Sequence, residues 1–346
     1  MIDFARSYAS KFSLVRMSRA SWKETRHVNG VVSATITRGG NSLIESGSVS
    51  IDLPRDERFE SGYYKLVMTA TQGRETGRFD VCVLHYGRSD GNVIGGTAEV
   101  KLAGESVLAP AYYARMPIGS YVEMGADCVA YCATVLGRII DAPVVAEGSF
   151  RLMKDYVFDI NARVVDAVRA VLSIGHHRLT IDGDGTVRIR GEAKVPSMRL
   201  YGENTRMLMP DVSYGRDTSK VPNCYVAVYG GRLYEAVNDS DSSDVSVRSV
   251  GYRRLPDGGI DLEPTLLEGE TIEGYCRRRL SEMSTVAESL SYKREYADGV
   301  VPTDLVMATS EAVGHDGPMV ITTQSLEIGN GILVTERADV TEQLWQ

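Results

Sequence analysis

The sequence predicts an α+β protein: two antiparallel β-regions of barrel or sandwich size, an inserted helix-hairpin α/β region, and one long helix in the second half. Three observations carry that expectation. The first is composition. A chain of 346 residues, 43% hydrophobic and 24% charged, folds as a globular protein of two to three domains. Its 34 glycines, and 18 tyrosines against 6 phenylalanines, favour strands on whose faces tyrosine rings lie half-buried. The second is a succession of strand-length segments in residues 1–105. The third is the stretch from Asn161 to Arg190, where a short amphipathic helix runs straight into a tight hairpin.

In the first region, Val31 to Arg38, Gly47 to Leu53, Tyr63 to Thr71, Arg78 to His85 and Gly96 to Leu102 are strand-length runs separated by Gly, Asn, Asp or Pro clusters. Val32, Ala34 and Ile36, and again Leu66, Met68 and Ala70, alternate as strands do when one face is covered. A Pro/Tyr-rich connector after Glu105 opens the second region, residues 106–198. There a helix from Ala126 to Ile139 carries Val129, Cys132, Leu136 and Ile139 or Ile140 on one face, and an extended piece follows from Pro143 to Phe150. Val164, Val165, Val168, Val171 and Leu172 then line one face of a second helix, with Asn161 or Asp159 as its N-cap and Gly175 as its stop. Arg178 to Ile181 and Thr186 to Arg190 flank Asp182-Gly183-Asp184-Gly185, whose Asp-Gly pairs suit a two-residue turn with positive φ.

Residues 199–346 return to β character, with strands at Asn223 to Val228, Gly231 to Val237, Val245 to Arg253 and Gly259 to Glu263. An acidic loop at 238–244 and a Leu-Pro-Asp-Gly-Gly turn break them. A long helix from Glu270 to Leu290 places Ile272, Tyr275 or Cys276, Leu280, Met283, Ala287 and Leu290 in one stripe. Tyr292, Arg294 and Tyr296 continue as strand, Asp304 to Thr309 forms another, and Met319–Ile328 and Ile332–Val340 make a final hairpin around Gly329-Asn330-Gly331.

A net charge of -8 and a pI near 5.3 argue against a protein that wraps nucleic acid through its phosphates. No apolar run approaches the roughly 18 to 20 residues that span a bilayer, and no leader segment is visible, so the chain is expected to fold in a reducing cytoplasm. Cys82, Cys128, Cys132, Cys224 and Cys276 are odd in number and embedded in apolar segments, which reads as buried thiols. There is no phosphate-binding loop, dinucleotide fingerprint, zinc-protease helix or nucleophile elbow. His176 and His177 stand at a helix end, where the dipole accounts for them. His27, His85 and His315 have no partnered acid pattern. Asp182 and Asp184 lack the further acidic ligands of a calcium loop, so a hairpin turn accounts for them. Arg277, Arg278 and Arg279 read as a solvated face or an inter-subunit salt-bridge set, and Asp239, Asp241 and Asp244 as a mobile loop. No catalytic, cofactor-binding or metal-ligating residue is therefore assigned, and no cofactor is expected.

The order of parts is more distinctive than any part. Val122–Ile140 followed by Phe158–Ile189 resembles the paired helix modules of phage tail hub proteins, the family of baseplate hub and late-control D proteins. Arg277–Thr309 is similar to that family's closing helix and strand, with Gly299, Pro302, Asp304 and Val306 in its Gly-x-x-Pro-x-Asp-x-Val approach, and Arg19–Leu53 resembles its first β-domain. The resemblance implies two tube-like β-domains per chain and a homotrimer whose six such domains match a sixfold tail tube, adapting it to a threefold tip in the virion. It implies contacts with the tail tube or distal tail protein, the tape measure protein and tip or fibre proteins. DNA would pass without specific binding, and no membrane would be involved. The alternatives are a distal tail or tube-terminating ring protein and, from another class, a tail-associated cell-wall hydrolase, for which no acid pair has a catalytic context. A carbohydrate-binding module would call for clustered aromatic residues, whereas Trp22 and Trp345 lie near opposite ends.

Overall fold

The structure is a computed structural model that describes residues 2–4, 6–39, 45–54, 59–94, 97–200, 212–216, 218–219, 221–253, 259–311 and 313–343. The Leu-Pro-Asp-Gly-Gly turn, except Gly259, and Trp345 lie outside the described residues. Seven strands come first: β1 (Ala9–Met17), β2 (Glu24–Val28), β3 (Val31–Gly39), β4 (Ser46–Pro54), β5 (Gly62–Gln72), β6 (Glu75–Ile94) and β7 (Thr97–Ser106). The helix-hairpin region follows with α1 (Ala109–Tyr113), β8 (Tyr121–Val122), α2 (Cys128–Gly137), β9 (Val144–Ala146), β10 (Tyr156–Val157), α3 (Val164–Ile174), β11 (His177–Ile181) and β12 (Val187–Gly191). The remainder holds β13 (Met198–Leu200), β14 (Ser213–Arg216), β15 (Cys224–Tyr229), β16 (Arg232–Val237), α4 (Val247–Val250), α5 (Ile272–Met283), β17 (Thr285–Glu295), β18 (Leu305–Ser310), β19 (His315–Ile328) and β20 (Ile332–Gln343).

The expectation of two separate tube-like barrels or sandwiches is corrected. Both β-regions belong to one 13-stranded sheet in the order β14-β17-β20-β19-β3-β4-β7-β6-β5-β1-β2, with β18 and β13 branching from β19. Strand β19 carries the join, pairing antiparallel with β3 from Thr323↔Gly39 to Ile328↔Ala34. Among the described residues no ladder brings β2 or β1 back to β3, so the sheet curls without closing. The curl is tight enough that the buried Arg38 of β3 donates a hydrogen bond to the Val81 carbonyl of β6, three strands away along the order. An apolar core fills its concave side, with Leu14, Ile36, Ile51, Leu66, Met68 and Leu84 buried together with Leu326, Ile328 and Val334 from the last hairpin.

The two opening strands β1 and β2 escape a reading by alternation, because Ser, Lys and Arg interrupt their apolar positions. Strand β6 runs well past His85. Its Gly- and Asp-rich second half pairs with β7 out to Ile94↔Thr97 after a register shift between Tyr86 and Arg88, so the ladder overrides the turn propensity of those residues.

The long helix of the second half is present, but its bounds are corrected. Helix α5 begins after the Thr271 side chain, which accepts from Gly274 N–H at 3.1 Å, and ends at Met283. Ser284 caps it by donating its N–H to the Leu280 carbonyl, and Thr285 and Val286 turn the chain into β17. Ala287 and Leu290 continue the helical spacing only by coincidence; Leu290 pairs with Ala338 in the sheet. Of the expected strand from Val245 to Arg253, the part Val247–Val250 is instead the short helix α4, capped by the Ser246 side chain on Ser249 N–H.

Helix α3 fits its expected stripe, with Val164, Val165, Val168, Val171 and Leu172 all buried. Its N-cap is Arg163, without a side-chain bond, while Asn161 takes a left-handed φ of 64°. Gly175 has φ -96°, and His176 at φ 52° supplies the left-handed turn instead. A glycine is needed at 175 for a different reason: a Cβ there would meet the Phe150 ring at 2.3 Å.

Candidate functional site

Two features of this fold are built for contact: the free margins of the sheet and the clefts beside the helix-hairpin region. At one margin, among the described residues, β2 pairs only with β1, and its Thr25, Arg26 and His27 are exposed. At the other, among the described residues, β14 pairs only with β17, and Ser213, Tyr214 and Gly215 are exposed. Each margin presents a row of backbone N–H and C=O groups that can accept another strand.

The hairpin of β11 and β12 is seated on the first region. Gly185 N–H donates to the Asp182 carbonyl at 2.9 Å, Asp182 N–H to the Thr186 carbonyl at 3.0 Å, and Gly185 has φ 81°. The connection is thus a three-residue loop with a glycine bulge, longer than the two-residue turn expected. Asp184 accepts from Thr186 N–H through its side chain and from Trp22 Nε1 through its carbonyl, so neither Asp182 nor Asp184 is free for a cation. Asp182 is paired with Arg188 and Arg190.

A cleft of about 750 Å³ lies beside this seat. Tyr63, His85 and Glu105 are cross-strand neighbours on β5, β6 and β7 and line it together. The Tyr63 hydroxyl donates to Asp141 Oδ2 at 3.3 Å, and Arg19 pairs with the same oxygen at 2.8 Å. Tyr113 donates to Glu105 at 3.2 Å. Burial and then the Asp141 charge push the Tyr63 phenol up to about 12. Both carboxylates thus serve as acceptors holding neighbouring side chains, an anchoring role in which neither is paired with a nucleophile.

The other residues singled out in the sequence are dispersed. His27 lies on the β2 margin, His85 faces Tyr63, and His315 starts β19. His177 stacks on Phe150 and its Nδ1 lies 2.6 Å from the Gly175 carbonyl. All five cysteines are free and buried, and burial pushes the Cys82 and Cys132 thiols up to about 12, which makes them poor nucleophiles. The acidic loop is knit together: the buried Asn238 donates to Ser243 at 3.0 Å, and Asp241 pairs with Arg248 at 2.6 Å. Arg278 and Arg279 are committed within the chain, Arg278 to Glu270 at 2.7 Å and Glu282 at 2.9 Å, Arg279 to Glu282 at 2.7 Å; Arg277 alone of the three is exposed. Among the described residues no group of three or more His, Cys, Asp or Glu is arranged to hold a metal ion. No helix among them is long and apolar enough to cross a membrane.

His176 has a role its sequence position did not disclose. Its ring lies 3.5 Å from Glu192 beyond β12 and 3.3 Å from Glu282 on α5, which ties the helix-hairpin region to the second half of the chain. The Glu192 contact raises its affinity for a proton, burial opposes, Glu282 adds to the rise, and Arg278 opposes it. Because the folded-state pKa is raised, the contribution is complete below the unfolded value of about 6.5 and is lost as pH rises through the folded value. With 42% of the side chain exposed, the effect is under about 1 kcal/mol. Urea titrations on either side of that window should show a stability loss in the wild type that is absent in His176→Gln; parallel curves would remove His176 from this role.

No family model and no curated protein matches the chain. Solved structures do share its architecture, and they define a class: the chain has the sheet-rich fold of phage tail and baseplate-hub proteins. The tail protein from Neisseria meningitidis MC58 is similar at a TM-score of 0.65 and 14% identity, over 98% of each chain. The 43 kDa tail protein of prophage MuSo2 from Shewanella oneidensis aligns at 0.63 and 13% identity, over 95% of this chain and 98% of that one. The E. coli c3393 protein aligns at 0.54 and 9% identity, over 91% of this chain and 75% of that one. It is described as a type VI secretion component with structural similarity to the T4 tail proteins gp27 and gp5.

Proposed function

We propose that this chain is a non-enzymatic structural hub of a phage tail tip or baseplate. Its homotrimeric ring would adapt the sixfold tail tube to a threefold tip and let DNA pass. The observation that supports this reading best is the sheet itself, a 13-stranded array that no ladder among the described residues closes between β2 and β14, on a fold shared with tail proteins over nearly their whole length. Exposed margins on a large sheet invite uncontrolled association, and closing a ring of copies covers them.

The division into residues 1–105, 106–198 and 199–346 belongs to the same reading, with the middle part docked against β1, β5 and β6 through Met17, Tyr63 and Val83. So do contacts with the tail tube or distal tail protein, the tape measure protein and tip or fibre proteins, and residence at the tail tip of the virion. The net charge of -8 accords with a channel to which DNA does not adhere. Native mass measurement of the assembled protein should give three copies. Six copies per ring would instead fit a distal tail or tube-terminating protein, and clearing of a cell-wall zymogram by the purified chain would establish the hydrolase reading.

A further inference from the structure

A second cleft, of about 430 Å³, separates α3 and β11 from residues Thr303 and Val320–Thr322. Ser173, His177 and Thr322 on its lining bond to backbone carbonyls, but its two arginines are poorly matched. Arg169 is half-buried and has no hydrogen bond or ion pair among the described residues. The Arg178 side chain is only 13% exposed, its Nε has no acceptor among the described residues, and its contact with Asp304 through Nη2 is long at 3.5 Å. Thr303 completes the group. Its backbone lies at φ 78°, where a β-branched residue is strained, its N–H donates to the Ile321 carbonyl at 2.6 Å, and its buried Oγ1 has no partner among the described residues.

Buried donors left without acceptors are costly, and a guanidinium cannot shed its proton to avoid the cost. We propose that this cleft binds an oxyanion, a phosphate or a carboxylate, held by the guanidinium groups of Arg169 and Arg178. Each guanidinium offers a planar fork of N–H donors suited to two oxygens of one anion. The carboxylates nearby do not fill the place. Asp166 sits exposed at the rim, where its charge acts on Arg169 without an ion-pair contact, and Asp304 accepts a bond from Val301 N–H at 3.0 Å besides its long contact with Arg178. Burial lowers the proton affinity of both Arg169 and Arg178, the direction expected of cations short of a counter-charge.

The site is independent of the hub reading and is tested on the full chain by calorimetric titration with sodium phosphate and, separately, sodium acetate, against sodium chloride at matched ionic strength. Saturable binding of either oxyanion is expected, and the tighter of the two identifies its chemistry. Arg169→Gln should weaken it about tenfold, as loss of a charge-assisted donor pair does. Thr303→Gly, which relieves the backbone at φ 78°, should raise the thermal midpoint of the ligand-free protein. No saturable heat with either anion, or identical titrations for the wild type and Arg169→Gln, would overturn the proposal.

Discussion

Replacing Glu336 with alanine is expected to lower folding stability by about 3–5 kcal/mol, seen as a lower denaturant midpoint with an unchanged slope. Glu336 stands on β20 opposite Tyr292 of β17 and Gln324 of β19, so strands on both sides of β20 enclose it. Its side chain is 0% exposed and that of Arg294 1%. The pair is bidentate, with Arg294 Nε to Oε2 at 2.8 Å and Nη2 to Oε1 at 2.5 Å. Remaining valences are met locally: Arg294 Nη1 donates to the Glu295 carbonyl at 2.8 Å, and Gln324 Nε2 donates to Glu336 Oε1 at 2.6 Å and to the Val300 carbonyl at 3.0 Å.

Removing the carboxylate would leave a permanently charged guanidinium without its counter-charge inside the sheet and take one of the two acceptors of the buried Gln324 amide. The loss therefore measures the abandoned partner more than the worth of the pair. Arg294→Met combined with Glu336→Leu should accordingly be far less damaging than Glu336→Ala alone, because no charge is left behind. A double variant as unstable as the single would mean that the pair itself, and not the orphaned charge, governs stability here.

The parts of this fold legible in the sequence are those governed by local pattern. Buried stripes at helical spacing placed α2 and α3, and alternation with Gly-rich turns placed β3, β4, β5, the β15–β16 pair and the final hairpin. What escaped is non-local. Nothing within Val31 to Arg38 or Met319 to Ile328 states that these segments pair with each other, yet that single ladder converts two expected sheets into one. The boundary of α5 failed for a related reason, since Leu290 fits the end of a helical stripe and, with Tyr292 and Arg294, the start of a strand alternation, until β20 supplies a partner. The candidate site was still less visible. Arg178, Thr303 and Arg169 carry no motif, and only the tertiary placement of α3 against Thr303 brings them to one cleft.

The Asp-Gly-Asp-Gly hairpin shows a glycine whose reason lies outside its own turn. Gly183 has no left-handed backbone to justify it, but a Cβ built there would stand 1.9 Å from the Asp80 carbonyl oxygen and 2.8 Å from its carbon. The obstacle is backbone in the middle of β6 and cannot rotate aside. Around it the tip is held by Trp22 Nε1 on the Asp184 carbonyl, and Gly185 lies against Val83. Gly183→Val must therefore lift the tip away from β6 and break this seat. A loss of about 2–3 kcal/mol or more is expected, at the upper end of overpacking effects because the clash is with main chain.

Gly137→Ala is the matched control. It closes α2, has nothing within 4 Å of where an alanine methyl would sit, and should be neutral or slightly stabilising. The expected signature of Gly183→Val is local as well as global, with faster hydrogen exchange in β11 and β12 and greater solvent exposure of Trp22 fluorescence. If Gly183→Val unfolds at the wild-type midpoint with Trp22 still shielded from solvent, the hairpin is not seated on β6. The helix-hairpin region would then owe its position to its other contacts, the apolar core shared with Met17, Tyr63 and Val83 and the His176 and Arg178 links to the second half.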